Sequence, residues 1–205
     1  MIVVIDYGLG NLASVANALK KITVPYQISS NPDDIKKAKG LILPGVGAAG
    51  QGMKNIKKRK LDTAIIDAVE SGMPFLGICL GMQLLFERSE EGNVACLGIL
   101  KGSVKKFRQM RKIPQIGWNS VSFSANNLEI QRLYGGISDN SYFYFVNSYY
   151  CLPLDTSITA GVSEYGEYFA SVVARKNIVG VQFHPEKSSR VGFILLKNFI
   201  TNYVD

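Results

Sequence analysis

The first ninety residues alternate between strand and helix patterns, and this alternation constrains the fold more than any other feature of the sequence. Short apolar runs, such as IVVID (residues 2–6) and GLIL (40–43), read as buried strands. Between them lie segments such as LASVANALKKI (12–22), in which apolar residues recur three or four places apart, as on one face of a helix. Strands separated by helices run parallel, with helices packed on both faces of the sheet. We therefore expect an α/β, flavodoxin-like fold built on an open, mostly parallel sheet.

The pattern changes in the second half, where strand-like runs follow one another without a helical segment. VSF (121–123), YFYFVNSYY (142–150) and IVGVQF (178–183) read as strands, and the next helical pattern is RVGFILLKNFITNY (190–203). Strands joined without crossover helices pair antiparallel. We predict an antiparallel extension of the same sheet and one domain over residues 1–205, because the last apolar strand suits a buried position.

Two further segments carry predictions about local structure. PGVGAAGQG (44–52) contains four glycines and a proline, so we expect it to be irregular, with a helix through residues 64–70 after it. MQLLFERS (82–89) is expected to form a helix behind the strand that leads into Cys79.

The composition is that of a globular chain, with 47% hydrophobic and 19% charged residues. No run approaches the roughly 18 apolar residues of a membrane span, and the N-terminus reads as a first strand rather than a signal peptide. The three cysteines show no CxxC spacing, which argues against a disulfide framework or a zinc site and favours a reducing, cytoplasmic location. We predict no metal and no cofactor.

The chain is basic, with a net charge of +7 and clusters at KNIKKRK (54–60) and KKFRQMRK (105–112). Such runs form either a solvated face or a docking surface for an acidic partner. Nucleic acid is not expected as a partner, because the aromatic run at 142–150 alternates like a strand and carries no basic residue.

Cys79 stands at the junction of a predicted strand and helix, in the sequence GICLG (77–81). This arrangement is the thiol counterpart of a nucleophile elbow. The flanking glycines allow a sharp turn, and the N-terminus of the following helix favours a thiolate and offers the amide of Leu80 to an oxyanion. On this motif alone, a buried structural cysteine in a strand-to-helix turn remains the alternative.

His184 is the only histidine, so any Cys–His mechanism must use it. It follows the strand at 178–183, at the sheet edge where Cys79 is expected. Glu186 lies two residues further and returns to the same face of an extended segment, so its carboxylate can orient one imidazole nitrogen while the other faces the thiol. The combination favours catalysis over a histidine that serves only packing.

Four segments that follow strands should converge at the carboxyl edge of the sheet, where open parallel sheets bind their ligands. They are DYGLGN (6–11), PGVG (44–47), GICLG (77–81) and QFHPE (182–186). The PGVG turn can aim a second N–H at a developing negative charge.

GLGNLA (8–13) also fits a dinucleotide-binding fingerprint after a strand. That interpretation requires an acidic residue near the end of the second strand. The second strand ends in ISSN instead, and Asp33 and Asp34 read as helix-start residues. We therefore disfavour a dinucleotide site.

Three motifs resemble those of the class I (triad) glutamine amidotransferases: LPGVG (43–47), GICLGMQLL (77–85) and QFHPEKS (182–188). The resemblance runs from the first strand to the last helix. Within this class the chain is most similar to the glutaminase subunits of imidazole glycerol phosphate synthase, in histidine biosynthesis, through the weaker motifs DYGLGN, IGWN (116–119) and YFVNSYY (144–150).

The resemblance implies hydrolysis of glutamine to glutamate and ammonia. In the family pattern Cys79 is the nucleophile, His184 is the general base and acid, and Glu186 orients His184. The pattern also implies oxyanion donors and substrate contacts, at Leu80 with Val46 or Gly47, and at Gln83, Ser148 and Tyr149.

The resemblance further implies a partner, a (β/α)8 cyclase subunit that receives ammonia through an internal channel of the heterodimer. The cyclase makes imidazole glycerol phosphate and an aminoimidazole-carboxamide ribotide. Asn11, Trp118 and Lys187 would lie toward this subunit. We expect low activity without it, with the PGVG turn misaligned until the cyclase binds its ligand.

Two alternatives remain: a triad amidotransferase that serves another pathway, such as the pyridoxal, anthranilate or purine routes, and a non-catalytic α/β binding module. The chain also departs from the subfamily at Gln115 and Asn147, where many members carry histidine. Because both positions change to amides, we hypothesise that the two side chains are neighbours, within about 10 Å of each other.

Overall fold

A computed structural model of the protein describes residues 1–108, 112–124 and 128–204. Across these residues the strands are β1 (Ile2–Ile5), β2 (Tyr26–Ser29), β3 (Gly40–Gly45), β4 (Phe75–Cys79), β5 (Arg88–Ser89), β6 (Val94–Ala95), β7 (Gly102–Lys106), β8 (Gln115–Phe123), β9 (Ser141–Asn147), β10 (Tyr149–Pro153), β11 (Thr159–Glu164), β12 (Tyr168–Arg175) and β13 (Ile178–Val181). The α-helices are α1 (Leu12–Lys21), α2 (Pro32–Lys36), α3 (Ala49–Lys58), α4 (Leu61–Glu70), α5 (Leu80–Gln83), α6 (Leu128–Leu133) and α7 (Ser189–Phe199).

The strands form a mixed sheet in the order β2-β1-β3-β4-β13-β12-β10-β7-β5-β6. The first five run parallel to one another, and β12, β10 and β7 continue the sheet antiparallel. The pair β8–β9 branches from this path through β11, again antiparallel. The predicted fold class, a mostly parallel sheet with an antiparallel extension in the second half, is confirmed.

Alternate residues of the parallel strands feed two hydrophobic layers, one on each face of the sheet. Val4, Ile42 and Leu76 pack with α1 and α7 on one face, while Val3, Leu41 and Phe75 pack with α2, α3 and α4 on the other. Burying one such side chain contributes about 1.5–3 kcal/mol. Because both faces are covered, the parallel strands are apolar throughout, which is the pattern that the sequence displays.

The expectation that PGVGAAGQG is irregular is wrong at both ends. β3 continues through Pro44 and Gly45, and α3 already begins at Ala49. The buried face of α3 and a carboxylate that caps its first turn from a distant loop outweigh the poor helix propensity of its glycines.

Two helix predictions also need correction. The helix expected over 82–89 ends after one turn at Gln83, because the next three residues, Leu84, Leu85 and Phe86, are all buried and cannot share one helical face. The long stretch predicted to lack a helix contains α6, whose Ile130 and Leu133 are buried.

The acidic residues that decided against a dinucleotide site lie where the sequence predicts. Asp33 and Asp34 occupy the first turn of α2, which the side chain of Asn31 caps. Neither is a residue of β2, although the carboxylate of Asp34 accepts hydrogen bonds from Gln27 and Ser29 of that strand.

The basic runs are partly neutralised within the molecule. Arg59 pairs with the carboxylate of Asp6 at 3.7 Å, and Glu90 pairs with Lys105 and Arg108. Residues 109–111 of the second run lie outside the described residues. None of the helices in the described part of the chain is long and apolar enough to cross a membrane.

Candidate active site

Three adjacent parallel strands, β3, β4 and β13, deliver three of the four predicted segments to one edge of the sheet. In the strand register Gly45 pairs with Cys79, and Ile78 pairs with Val181. The chain segments that leave these strands surround a cavity of about 430 Å³. The fourth segment, DYGLGN, follows β1 at the same edge but does not line this cavity.

Most residues predicted for catalysis and binding line the cavity: Cys79, His184, Val46, Gly47, Leu80, Gln83, Ser148 and Tyr149. Glu186 does not line the cavity but contacts His184, which does. Among the residues predicted to face a partner, Lys187 lies at the cavity, whereas Asn11 and Trp118 lie outside its lining. The structure thus brings the predicted set together, while the role of each member stays a prediction.

Cys79 occupies a strained elbow between β4 and α5. Its φ of 54° and ψ of −109° are values that cost a non-glycine residue about 1–3 kcal/mol. A Cβ at Gly81 would collide with the carbonyl oxygen of Leu43, and one at Gly77 would lie 2.7 Å from the carbonyl oxygen of Gly81. The two glycines of the motif are therefore steric requirements of a turn that presents Cys79 to the cavity.

His184 and Glu186 form a buried pair just beyond β13. Nδ1 of His184 lies 2.8 Å from Oε1 of Glu186, and the two side chains are only 3% and 2% exposed. The contact is the predicted one, but residues Pro185–Lys187 form a 3₁₀ turn rather than an extended segment. Since Nδ1 faces the carboxylate, Nε2 is the ring nitrogen left for Cys79.

The charge state of His184 is set by opposing influences. Burial alone lowers the pKa of the imidazole, but hydrogen bonds to Cys79 and Glu186 and the negative charge of both groups raise it, to about 10. The imidazolium form is therefore stable at neutral pH when Cys79 is a thiolate. Such a pair supplies a nucleophile and a proton donor together.

Glu91 also lines the cavity, and the sequence-based reasoning missed it. One carboxylate oxygen accepts a hydrogen bond from the backbone N–H of Ala49 at 2.7 Å, directly after the PGVG turn. Because 42 residues separate the two partners, no local motif signals the contact. The one available signal is chemical: a site for an amino acid needs a negative group for the α-ammonium.

Gln115 and Asn147 are neighbours, as hypothesised. They are directly opposed in the antiparallel pair β8–β9, a geometry in which Cα atoms lie about 4.5–5.5 Å apart. Both side chains are buried, and the Nδ2 group of Asn147 donates to the carbonyl of Tyr149 at 3.1 Å. The second amide position therefore borders the predicted substrate-binding backbone.

Comparisons with known proteins match nearly the whole chain. A family model described as "Glutamine amidotransferase class-I" matches residues 3–202. The "Imidazole glycerol phosphate synthase subunit HisH" of Moorella thermoacetica is 48% identical over 199 residues, covering 97% of this chain and 93% of that relative. The Bacillus subtilis protein of the same name is 44% identical over 206 residues, covering 97% of this chain and 95% of the relative.

Solved structures share the fold at low identity. The structure of PurLQS from Thermotoga maritima matches with a TM-score of 0.78 at 18% identity, covering 98% of this chain and 97% of that chain. A structure described as a glutamine amidotransferase matches with a TM-score of 0.77 at 16% identity and 99% coverage of both chains. These two likenesses establish the fold alone.

Proposed function

The chain belongs to the class I glutamine amidotransferases and, among them, to the HisH subunits of imidazole glycerol phosphate synthase, and from this premise we propose how its residues carry out the reaction. The protein is a glutamine-hydrolysing amidotransferase. We propose that it releases ammonia from glutamine for a cyclase subunit of the same synthase, in histidine biosynthesis. One observation carries the proposal: Cys79 on its strained elbow shares a cavity with the buried His184–Glu186 pair.

In the proposed reaction the Cys79 thiolate attacks the carboxamide carbon of glutamine. The resulting oxyanion accepts hydrogen bonds from the amide of Leu80 and from the turn at Val46 and Gly47, and each such donor lowers the barrier by about 3–4 kcal/mol. His184 gives its proton to the departing nitrogen, which leaves as ammonia. Water then attacks the γ-glutamyl thioester, His184 takes its proton, and glutamate leaves the restored Cys79.

The substrate's amino-acid end would be held by Gln83, by the backbone at Ser148 and Tyr149, and by Glu91. Glutamine carries an α-ammonium, and Glu91 is the only carboxylate among the described residues that line the cavity. Its second oxygen is engaged with Ala49, so the carboxylate is held in place before the substrate arrives.

The proposed partner is a (β/α)8 cyclase, and the surface beside the cavity supports this. The Nζ atom of Lys187 lies 6.0 Å from the ring centre of Tyr144, and the rings of Tyr144 and Trp118 pack in a T-shaped arrangement. Trp118 is 53% exposed, which suits an aromatic anchor at an interface. Asn11 is the third proposed contact.

We also propose that residues 1–205 act as one domain and that the protein works in the cytoplasm. The sheet that joins β1 to β13 across the whole sequence supports the first point. The free thiols of all three cysteines, which lie within the described residues, suit a reducing compartment.

A direct test compares the wild type with Cys79→Ala in the complex with the cyclase subunit and its nucleotide ligand. Cys79→Ala should abolish glutamine hydrolysis, measured as glutamate released, because Cys79 is the only thiol among the described residues that line the cavity. Synthesis from added ammonia should continue at the wild-type rate. Glutamine turnover by the variant, or loss of both reactions, would contradict the proposed division of labour.

A further inference from the structure

The sulfur of Cys79 has a polar neighbour that the triad does not include. Nε2 of Gln182 lies 3.6 Å from Sγ. Gln182 is completely buried, directly beyond β13 and two residues before His184. A carboxamide at such a position is costly unless both its ends are paired.

The direction of this amide follows from its partners. The backbone carbonyl of Tyr149 can only accept, so Gln83 turns its NH₂ group toward it, at 3.1 Å. The same NH₂ group donates to Oε1 of Gln182 at 3.0 Å. Because its oxygen is thereby occupied as an acceptor, Gln182 must present its own NH₂ group to Cys79.

A donor at this place answers a specific need of the thiolate. As a thiol, Cys79 can donate to the carbonyl of Val146, which lies 3.7 Å from Sγ. Once the sulfur is ionised, that carbonyl offers only lone pairs, which repel the charge. A fixed N–H on another side of the sulfur compensates, and a hydrogen bond to an ionised group is about twice as strong as a neutral one.

From this geometry we propose that Gln182 is a further catalytic residue, which donates an N–H to Sγ of Cys79 and stabilises its thiolate form. The inference deepens the proposed glutaminase function and rests on it. Gln182 does not line the cavity, whereas Gln83 does. Loss of the Gln182 amide should therefore reduce turnover more strongly than it weakens the binding of glutamine, because Gln83 keeps its hydrogen bond to the carbonyl of Tyr149.

The other titratable groups around Sγ do not take over this task. His184 supplies the counter-charge, with Glu186 behind it. Tyr7 and Cys151 interact with Cys79 as well, but burial raises the pKa of both, so they remain neutral at pH 7.

The test measures how fast iodoacetamide alkylates Cys79 in the full complex when glutamine is absent. Mass spectrometry follows the modification of Cys79. In Gln182→Met, which keeps the volume of the side chain but lacks the donor, the rate at pH 7 should fall about tenfold, the scale of one charge-assisted hydrogen bond. At pH 10, which lies above the ordinary pKa of cysteine thiols, the alkylation rate of Gln182→Met should stay within about twofold of the wild-type rate. The kcat for glutamine should fall about tenfold, a larger change than that in KM, while ammonia-dependent synthesis is retained.

Two further variants keep the test decisive. Gln182→Glu places an acceptor at the sulfur and should slow alkylation at pH 7 at least as strongly as Gln182→Met. It provides the test if Gln182→Met does not fold. Ser171→Ala is the control, because it removes another buried polar side chain, on β12 opposite Gln182. It should leave the ratio of the alkylation rate at pH 7 to that at pH 10 unchanged. If the ratio of the pH 7 rate to the pH 10 rate is the same as in wild type for both Gln182 variants, the inference is wrong. A wild-type complex that alkylates normally but does not hydrolyse glutamine would instead refute the proposed function.

Discussion

His184 must give a proton in the first half of the proposed reaction and accept one in the second. Its raised pKa, about 10, depends on two negative neighbours, Cys79 and Glu186. When Cys79 becomes a neutral thioester, one of these influences disappears and the pKa of His184 falls. The same side chain is thus a stable acid before ammonia leaves and a better base afterwards.

This coupling predicts the alkaline limit of the reaction. Because protonated His184 persists up to pH values near 10, wild-type hydrolysis at saturating glutamine should continue through pH 9 and decline above about pH 10. Glu186→Gln removes one cause of the raised pKa, so the decline should begin at lower pH. The kcat for glutamate release, measured as a function of pH, gives the alkaline decline of the wild type and of Glu186→Gln. Glu70→Gln, at the exposed end of α4, is the control, and an identical decline in wild type and Glu186→Gln would contradict the mechanism.

At the scale of single residues, the sequence predicts the groups that sit in local motifs. Cys79 stands in a glycine-flanked turn, and His184 is the only histidine. Glu91 and Gln182 were not predictable in this way, since their contacts join Ala49 and Cys79 across 42 and 103 residues. Only the folded sheet edge brings such partners together.

Among the structural elements, the β4–α5 turn depends most strictly on one residue type. Gly81→Ala would place a Cβ against the carbonyl oxygen of Leu43 in β3, a backbone atom that cannot move aside cheaply. We expect a loss of about 3 kcal/mol or more in the free energy of unfolding, together with loss of glutaminase activity, because β3 leads into the turn at Val46. Denaturant unfolding measures the first effect.

Gly50→Ala is the matched control for this substitution. Gly50 lies in α3, and a Cβ there has open space around it. Replacing a helical glycine by alanine stabilises by about 0.5–1 kcal/mol. If the two variants lose equal stability, the steric account of the elbow is wrong.

The parallel half of the sheet was predictable because both of its faces are buried and its strands are therefore apolar. The boundaries of α3 and α5 were not, since they depend on tertiary contacts. α3 begins where the Glu91 carboxylate reaches Ala49, and α5 ends where Leu84 to Phe86 turn into the core on several sides. α6, in contrast, could have been predicted from the sequence. Its apolar residues have helical spacing, and Gly135-Gly136 directly after them is a typical helix C-terminus.

Across the whole molecule, the antiparallel pair β8–β9 places a strip of exposed apolar side chains close to the active cavity. Ile116, Trp118 and Tyr142 are 63%, 53% and 61% exposed on this pair. Through Tyr144 and Lys187 the strip is continuous with the cavity wall. A subunit that covers the strip would also cover the mouth of the cavity, which is what direct transfer of ammonia requires.

Trp118→Ala tests this arrangement through the affinity for the cyclase subunit. Removing a central aromatic anchor from an interface typically costs about 2 kcal/mol or more, so Kd should rise roughly 30-fold, as measured by isothermal titration calorimetry. At saturating cyclase the variant should regain glutaminase activity, because Trp118 does not line the cavity. Leu154→Ala is the matched control, because Leu154 is also an exposed apolar residue (77%) but lies outside the strip. It directly follows β10, and its backbone N–H donates to the carbonyl of Lys101, just before β7. Equal weakening by both substitutions, or none by Trp118→Ala, would place the cyclase on another face of the molecule.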